Sequence, residues 1–423
     1  MPGPLPDLLL PDHAGVVDGR LRIAGCDTLD LARDFETPLF VYDEDHIRSR
    51  CREAVAAFGD GVTYATKAFL CTAMARLAHE EGMWLDVATG GELTIVLAAG
   101  VPAGRVVMHG NNKSPEELEM ALSTGVGRLV VDNFDEMGRI DALHRRGLPV
   151  PEVLIRVTPG VEAHTHEFVQ TGRDDTKFGF TASTGTADTA IRRAAASESM
   201  HLVGLHAHIG SQVFSLDAFA QAARVVARLA APYRLPELSL GGGLGIPYVE
   251  GENAPTITEW ALALEEVLQS EGVDARLSTE PGRSIVATAA ITLYTVGTVK
   301  EIPGVRTYVA VDGGMSDNPR PVLYGSGYET FLPRAVDSPR TRAIRVVGKH
   351  CESGDVLVAE GWVPEDLHVD DILATPVTGA YGHSMGSNYN KVRRPAVVFC
   401  RDGDARLVVR RETYADLLRL DVG

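Results

Sequence analysis

Cysteine is scarce in this chain, and long apolar runs are missing altogether. Five cysteines, Cys26, Cys51, Cys71, Cys351 and Cys400, are scattered through 423 residues without a CxxC pair. An odd number so placed indicates neither a disulfide framework nor a zinc site, so no metal is expected and the thiols read as small buried hydrophobes. No stretch reaches the roughly 18 consecutive apolar residues that a membrane helix needs. Positive charge is also in short supply: the formal net charge of -17 would repel the phosphates of nucleic acid, so neither nucleic acid nor a membrane is expected as a partner. The opening MPGPLPDLLLPDHAG has no basic segment ahead of its short Leu run, and the expectation is a protein that stays in the cytoplasm. Low-complexity linkers are absent too, which favours closely packed domains.

What is present is an alternation. Eight short β-branched runs, each followed by a helix-like stretch, lie between Val62 and Arg283: VTYATKAFL, WLDVAT, RVVMHG, RLVVDN, EVLIRVT, LVGLHAHIG, ELSLGGGL and RLSTEPGR. Strands alternating with helices mean a parallel sheet, and eight such units closing on themselves mean an α/β fold of the (β/α)8, TIM-like barrel type. Beyond about Ala290 the pattern changes to ITLYTVGTV, RTYVAVD, TRAIRVVG, GDVLVAEG, DILATPV, PAVVFC and ARLVVRR, separated by turn signals. These predict a C-terminal antiparallel β-domain, to which GRLRIAG and TPLFVYD near the start add strands, with LARDFETP as a connecting helix. The expected organisation is a barrel over 36–288 and a β-domain made of 1–35 and 289–423. Hydrophobic residues at 45% and charged residues at 23% suit a globular enzyme of two domains.

In a barrel the chemistry sits at the C-terminal tips of the strands. Lys67 ends the first run inside the otherwise apolar YATKAF. Burying an ammonium there is costly, and a covalent bond to a carbonyl cofactor is one reason for it; a lysine snorkelling from a strand end is the other. The glycines Gly241, Gly242 and Gly243 follow the seventh run, where barrel loops frequently close on phosphate. STEPGRS turns Glu280 and Arg283 sharply at the end of the eighth run, suited to pairing a carboxylate with a protonated ring nitrogen. In HAHIGSQ, His206 reads as a core residue and His208 as the one nearer the mouth. GKHCESGD sets the Cys351 thiol beside two carboxylates that disfavour its thiolate, so it reads as a proton donor before a nucleophile.

Taken together, YATKAF, DVATGGEL, HGNNKS, THEFVQTG with KFGF, HIGSQ, GGGLGIPY, EPGRS, VDGGMSDNPRPVLYG, GKHCESGD and GAYGHSMGSNYN resemble the motif set of diaminopimelate decarboxylases over nearly the whole chain from Thr37. The resemblance implies a pyridoxal 5'-phosphate enzyme that converts meso-2,6-diaminopimelate to L-lysine and CO2 in the last step of lysine biosynthesis. It also implies a homodimer whose sites each borrow residues from the partner subunit. By the same resemblance Lys67 carries the cofactor, Glu280 bonds its pyridine nitrogen and His208 lies against the ring. Ser211, Gly241, Gly242, Gly243, Gly282, Arg283 and Tyr381 hold the phosphate, and Asp86 and Arg156 support the cofactor from behind. Arg283, Arg320, Tyr324, Glu352, Ser353 and Tyr381 grip the amino-acid substrate, and Cys351 and Glu352 reach the site from the other subunit. A paralogue acting on another or a carrier-bound amino acid would keep the cofactor residues. A non-catalytic binder would have lost them, and the intact Lys67, Glu280 and glycine set speaks against it.

Overall fold

The computed structural model describes residues 3–161 and 172–423; of the motif THEFVQTG, only Gly172 lies within them. The chain divides into two compact units: Arg50–Gly245 with Ala254–Ser284, and Met1–Ser49 with Ile246–Asn253 and Ile285–Gly423.

The first unit contains all eight expected strands: β1 (Thr63–Ala65), β2 (Trp84–Val87), β3 (Val106–Met108), β4 (Arg128–Val131), β5 (Glu152–Thr158), β6 (His201–Ala207), β7 (Glu237–Ser239) and β8 (Arg276–Ser278). Every neighbouring pair from β1 to β8 is parallel and in sequence order. The cylinder closes where Thr63 N–H donates to Thr279 O (2.9 Å) and Ala65 N–H to Pro281 O (3.1 Å). A helix follows each of the first seven strands. Their starts are written locally, as at Pro115–Thr124, where Ser114 and Glu117 form a reciprocal capping box, Pro115 opens the helix and Gly125 ends it at φ 73.

Alternation along the strands separates an apolar layer from a polar one. Val107, Val130, Leu154 and Val203 form a buried cluster with Trp84 packed on it. Alternate residues of a strand share a face. Two positions beyond Trp84, Val107, Val130 and Leu154 therefore come Asp86, His109, Asp132 and Arg156, one polar side chain per strand toward the C-terminal end. The opposite end is tied by ions. Arg128 and Arg276 both bond Glu237, and the guanidinium carbons of Arg105, Arg128 and Arg276 sit 5.4, 5.5 and 6.0 Å from the Trp84 ring centre.

In the second unit all seven late runs form strands. Their sheet is largely antiparallel, as expected, with two parallel pairs within it. Its order is Val356–Val363, Arg342–Val347, Arg306–Val311, Ala290–Ile302, Leu39–Asp43, Ala396–Arg401, Asp404–Val409, with Ile372–Pro376 also on Ala290–Ile302. Leu39–Asp43 runs parallel to Ala396–Arg401, and Arg306–Val311 parallel to Arg342–Val347. Hairpin-length turns at 303–305 and 402–403 produce antiparallel neighbours, whereas these two pairs are joined by longer connections that leave direction unconstrained. GRLRIAG pairs elsewhere than expected: Arg20–Ile23 belongs to a separate three-stranded sheet with Ala14–Val17 and Cys26–Asp27. LARDFETP is helical as far as Phe35, in Thr28–Phe35, whose first amides are capped by Asp27, and residues 36–38 lie beyond the helix. Among the described residues no helix is long and apolar enough to cross a membrane.

Candidate active site

Lys67 departs from its sequence reading. β1 stops at Ala65, and the chain enters a 3-10 turn, Thr66–Ala68, in which Thr66 and Ala68 are buried while Lys67 is exposed. The turn lifts the amine out of the sheet, so the burial cost expected from its apolar neighbours is not incurred. Thr66 Oγ1 donates to Asp86 O at 2.6 Å, joining this turn to the tip of β2.

Glu280 is the best-anchored acid of the mouth. Its Oε2 lies 3.1 Å from His206 Nε2, and its Oε1 accepts from Ser239 Oγ at 3.1 Å and lies 3.2 Å from His109 Nε2. Burial alone would raise this carboxyl, but the His109 and His206 imidazoles oppose it and hold it well below the usual carboxylate range. His206 is pushed down to about 4, by burial foremost, and so meets Glu280 as a neutral ring whose Nε2–H donates. His206 is therefore a site residue as well as a core one. His109, His206 and Glu280 place three donor atoms within 4.8 Å of one another, a set that would suit a divalent cation. Here His206 Nε2 hydrogen-bonds Glu280 Oε2 and His109 Nε2 stands 3.2 Å from Oε1, so the imidazole nitrogens face the carboxylate oxygens.

Asp86 shares this neighbourhood. Burial first, then Glu280, raises its carboxyl to about 7, against the opposing effect of His109 and Lys67. The neighbouring cation Arg156 is buried, lies 3.7 Å from Asp132 and has its guanidinium 4.2 Å from the Phe178 ring centre. Its pKa is lowered by burial, which Asp132, Glu280 and Asp86 offset in part.

Past β6, β7 and β8 the walls are made for an anion. Gly242 N–H donates to His208 Nδ1 at 3.1 Å, which leaves the proton of the neutral ring on Nε2. Burial, reinforced by Lys67 and Arg156, pushes His208 well below the ordinary imidazole value and keeps it neutral. Gly241 and Gly243 take φ 64 and 109, and a Cβ on Gly242 would stand 2.1 Å from Glu280 O. Only glycine lets these strands approach so closely. Gly282 is equally confined, 2.8 Å from the Ala65 Cβ by the same measure. Arg283, buried, donates to Ser211 Oγ at 2.7 Å.

These residues fit pyridoxal 5'-phosphate. A cradle that any Cβ would fill, a buried guanidinium and a hydroxyl suit a phosphate dianion. An ionised Glu280 suits a protonated ring nitrogen, and an accessible Lys67 amine suits the aldehyde.

The remaining predicted residues belong to the second unit. Arg320 opens the short helix Arg320–Tyr324 and is buried; its guanidinium lies 4.1 Å from the Tyr248 ring centre and donates to Tyr328 Oη at 2.5 Å. Tyr324 and Tyr381 are half-buried, Tyr381 at φ 62. Cys351, Glu352 and Ser353 are exposed on one loop.

Sequence reasoning left His109, Ser239, Tyr248 and Tyr328 without roles. His109 and Ser239 each sit at or just after a strand end, and alternation from the apolar layer would have found His109. Tyr248 closes the glycine-rich motif, while Tyr328 lies in 326–341, a segment without any motif signal.

Fold and donor set together define a barrel enzyme that uses pyridoxal phosphate. Residues 44–287 match a family described as "Pyridoxal-dependent decarboxylase, pyridoxal binding domain". The diaminopimelate decarboxylase of Mycobacterium tuberculosis is 49% identical over 433 residues, covering 97% of this chain and 96% of its own, and that of Bacillus subtilis is 46% identical over 420 residues, covering 96% and 95%. The crystal structure of diaminopimelate decarboxylase from M. jannaschii in complex with L-lysine superposes with a TM-score of 0.90 at 33% identity, covering 98% of each chain. The chain belongs to the pyridoxal-dependent decarboxylases and, within them, to the diaminopimelate decarboxylase family.

Proposed function

We propose that this chain decarboxylates meso-2,6-diaminopimelate to L-lysine and CO2, as the last step of lysine biosynthesis, in the cytoplasm. The observation that carries this reading is Arg320. Its guanidinium is buried between two tyrosines, and among the described residues no carboxylate pairs with it. A desolvated fork of this kind calls for a planar anion, and a substrate with a second, non-reacting carboxylate supplies one. Glu352 and Ser353 offer an anionic and a hydroxyl partner to the distal ammonium, and Arg283, Tyr324 and Tyr381 complete the grip.

Bound pyridoxal 5'-phosphate supplies an electron sink for the pair left behind by departing CO2. Lys67 would hold the cofactor through its amine. Glu280, fixed by His206, Ser239 and His109, would keep a proton at the ring nitrogen, and neutral His208 would line the ring's site without adding charge. Ser211, Gly241, Gly242, Gly243, Gly282, Arg283 and Tyr381 bind the phosphate, with Asp86 and Arg156 supporting from behind. Cys351 delivers the proton to the new C–H bond.

Lysine and ornithine lack the far carboxylate and would leave Arg320 buried and unanswered, at a cost of about 1–3 kcal/mol or more. The expected result is a kcat/KM for meso-diaminopimelate on the order of a thousandfold above that for L-lysine or L-ornithine. Arg320→Leu is expected to narrow the gap chiefly by harming the good substrate. Release of CO2 from another amino acid with none from diaminopimelate would move the enzyme to a different substrate within the same chemistry.

We further propose a homodimer in which Cys351 and Glu352 serve the partner's site. Their exposure on a loop of the second unit supports this reading. Inactive Lys67→Ala and inactive Cys351→Ala subunits, exchanged with each other, are expected to regain activity, because one site of each mixed dimer has all its parts. Demonstrated exchange without recovered activity would return the loop to its own subunit's site.

A further inference from the structure

We propose that Tyr389 and Asn390 are positioning residues that hold the Cys351–Glu352 loop in the shape that receives substrate. The inference rests on the reading of Glu352 as the partner of the distal ammonium. Both residues lie at the end of GAYGHSMGSNYN, a motif of which only Tyr381 has so far been given work.

Four contacts converge from this segment onto the loop. Tyr389 Oη donates to Glu352 Oε2 at 2.8 Å, and its ring stacks on His350, with centroids 5.3 Å apart and planes 29° apart. Asn390 Oδ1 accepts Cys351 N–H at 3.2 Å and lies 3.3 Å from His350 Nδ1. On its other side His350 Nε2 lies 2.9 Å from Ser316 Oγ and 3.4 Å from Ser316 N. The Asn390 carbonyl oxygen thus faces both residues that precede Glu352. Asp355 pins the same loop from behind, accepting His350 N–H at 2.8 Å and Met315 N–H at 2.6 Å.

The need for such a clamp is entropic. Cys351, Glu352 and Ser353 are exposed. An unrestrained glutamate would lose its rotamer freedom when substrate binds, and that loss would appear in KM. The Tyr389 hydroxyl fixes one carboxylate oxygen beforehand, and Asn390 fixes the backbone that carries thiol and carboxylate. Asn390 adopts φ 49, a left-handed conformation that asparagine tolerates and glycine accepts freely. Asn390→Gly therefore keeps the turn and removes only the acceptor.

The test is steady-state kinetics with meso-diaminopimelate on the cofactor-loaded variants Tyr389→Phe, Asn390→Gly, Glu352→Gln and the double variant Tyr389→Phe/Glu352→Gln. For each of the first two, KM is expected to rise about tenfold with kcat within about threefold and the bound-cofactor absorbance unchanged. The double variant is expected to be no worse than Glu352→Gln alone, since the phenol acts through that carboxylate. A wild-type KM in Tyr389→Phe or Asn390→Gly, with Glu352→Gln impaired, would sink the clamp and leave the ammonium reading standing. Effects of Tyr389→Phe and Glu352→Gln that multiply would also sink it, placing the phenol's action elsewhere. A wild-type KM in Glu352→Gln itself would remove the reading on which the clamp rests.

Discussion

Lys67→Ala is expected to retain no covalently held cofactor and to lose turnover by roughly four orders of magnitude or more. The argument is positional. Lys67 stands on a turn whose neighbours Thr66 and Ala68 are buried, so the backbone beneath the amine is fixed while the amine itself is accessible. Lys113, by contrast, is buried at the mouth and fully engaged, with Nζ donating to Gly110 O, Val130 O and Glu136 Oε1 at 2.8, 2.6 and 2.7 Å. It has no donor left to exchange for a carbonyl carbon. Borohydride reduction of the wild-type enzyme followed by peptide mapping should mark Lys67; a mark on any other lysine would refute the assignment.

Glu280→Gln is expected to keep bound cofactor and to slow the carbanion-forming step by about 10²- to 10³-fold. Glu280 serves as an acceptor on both oxygens, facing His206 on one and Ser239 and His109 on the other. A carboxamide offers one acceptor and one donor. Whichever way it is turned, its NH2 meets either the His206 N–H or the Ser239 and His109 side, and the charge that retains a proton at the ring nitrogen is gone. Single-turnover kinetics at saturating meso-diaminopimelate, with cofactor content read from absorbance, separates the two effects. Near wild-type turnover would show that the carboxylate is not needed for the electron sink.

The barrel was legible because parallel strands buried on both faces read as β-branched runs; seven of the eight runs contain their strand, and the sixth strand starts one residue ahead of its run, at His201. The glycine loop and the Glu280–Arg283 turn were legible for a related reason: Gly and Pro punctuate strongly wherever they fall. What escaped were relations between strands. His206 was seen as an interior histidine, but its partner Glu280 lies two strands away, and nothing within HAHIGSQ announces that meeting. Lys67 was read as part of the strand because the rest of YATKAF is largely apolar, and the two-residue difference between strand end and turn decided its exposure. In the second unit the strands and their largely antiparallel pairing were legible, but the two parallel pairs were not, since a β-branched run carries no mark of its neighbour's direction.

The seam between β1 and the segment after β8 gives the chemistry a place in the history of the chain. Lys67 follows the first barrel strand and Glu280 the last, and they become neighbours only when Thr63 and Ala65 bond Thr279 and Pro281. Contacts so distant in sequence form late, because a long loop must close before they return any energy. A barrel still open at this seam would hold nearly all of its helices and most of its sheet yet no ring-binding site. If Lys67 and Glu280 hold the cofactor as proposed, its capture during refolding is expected to report the final docking event separately from the earlier gain of helix, and cofactor present from the start is expected to favour the closed form.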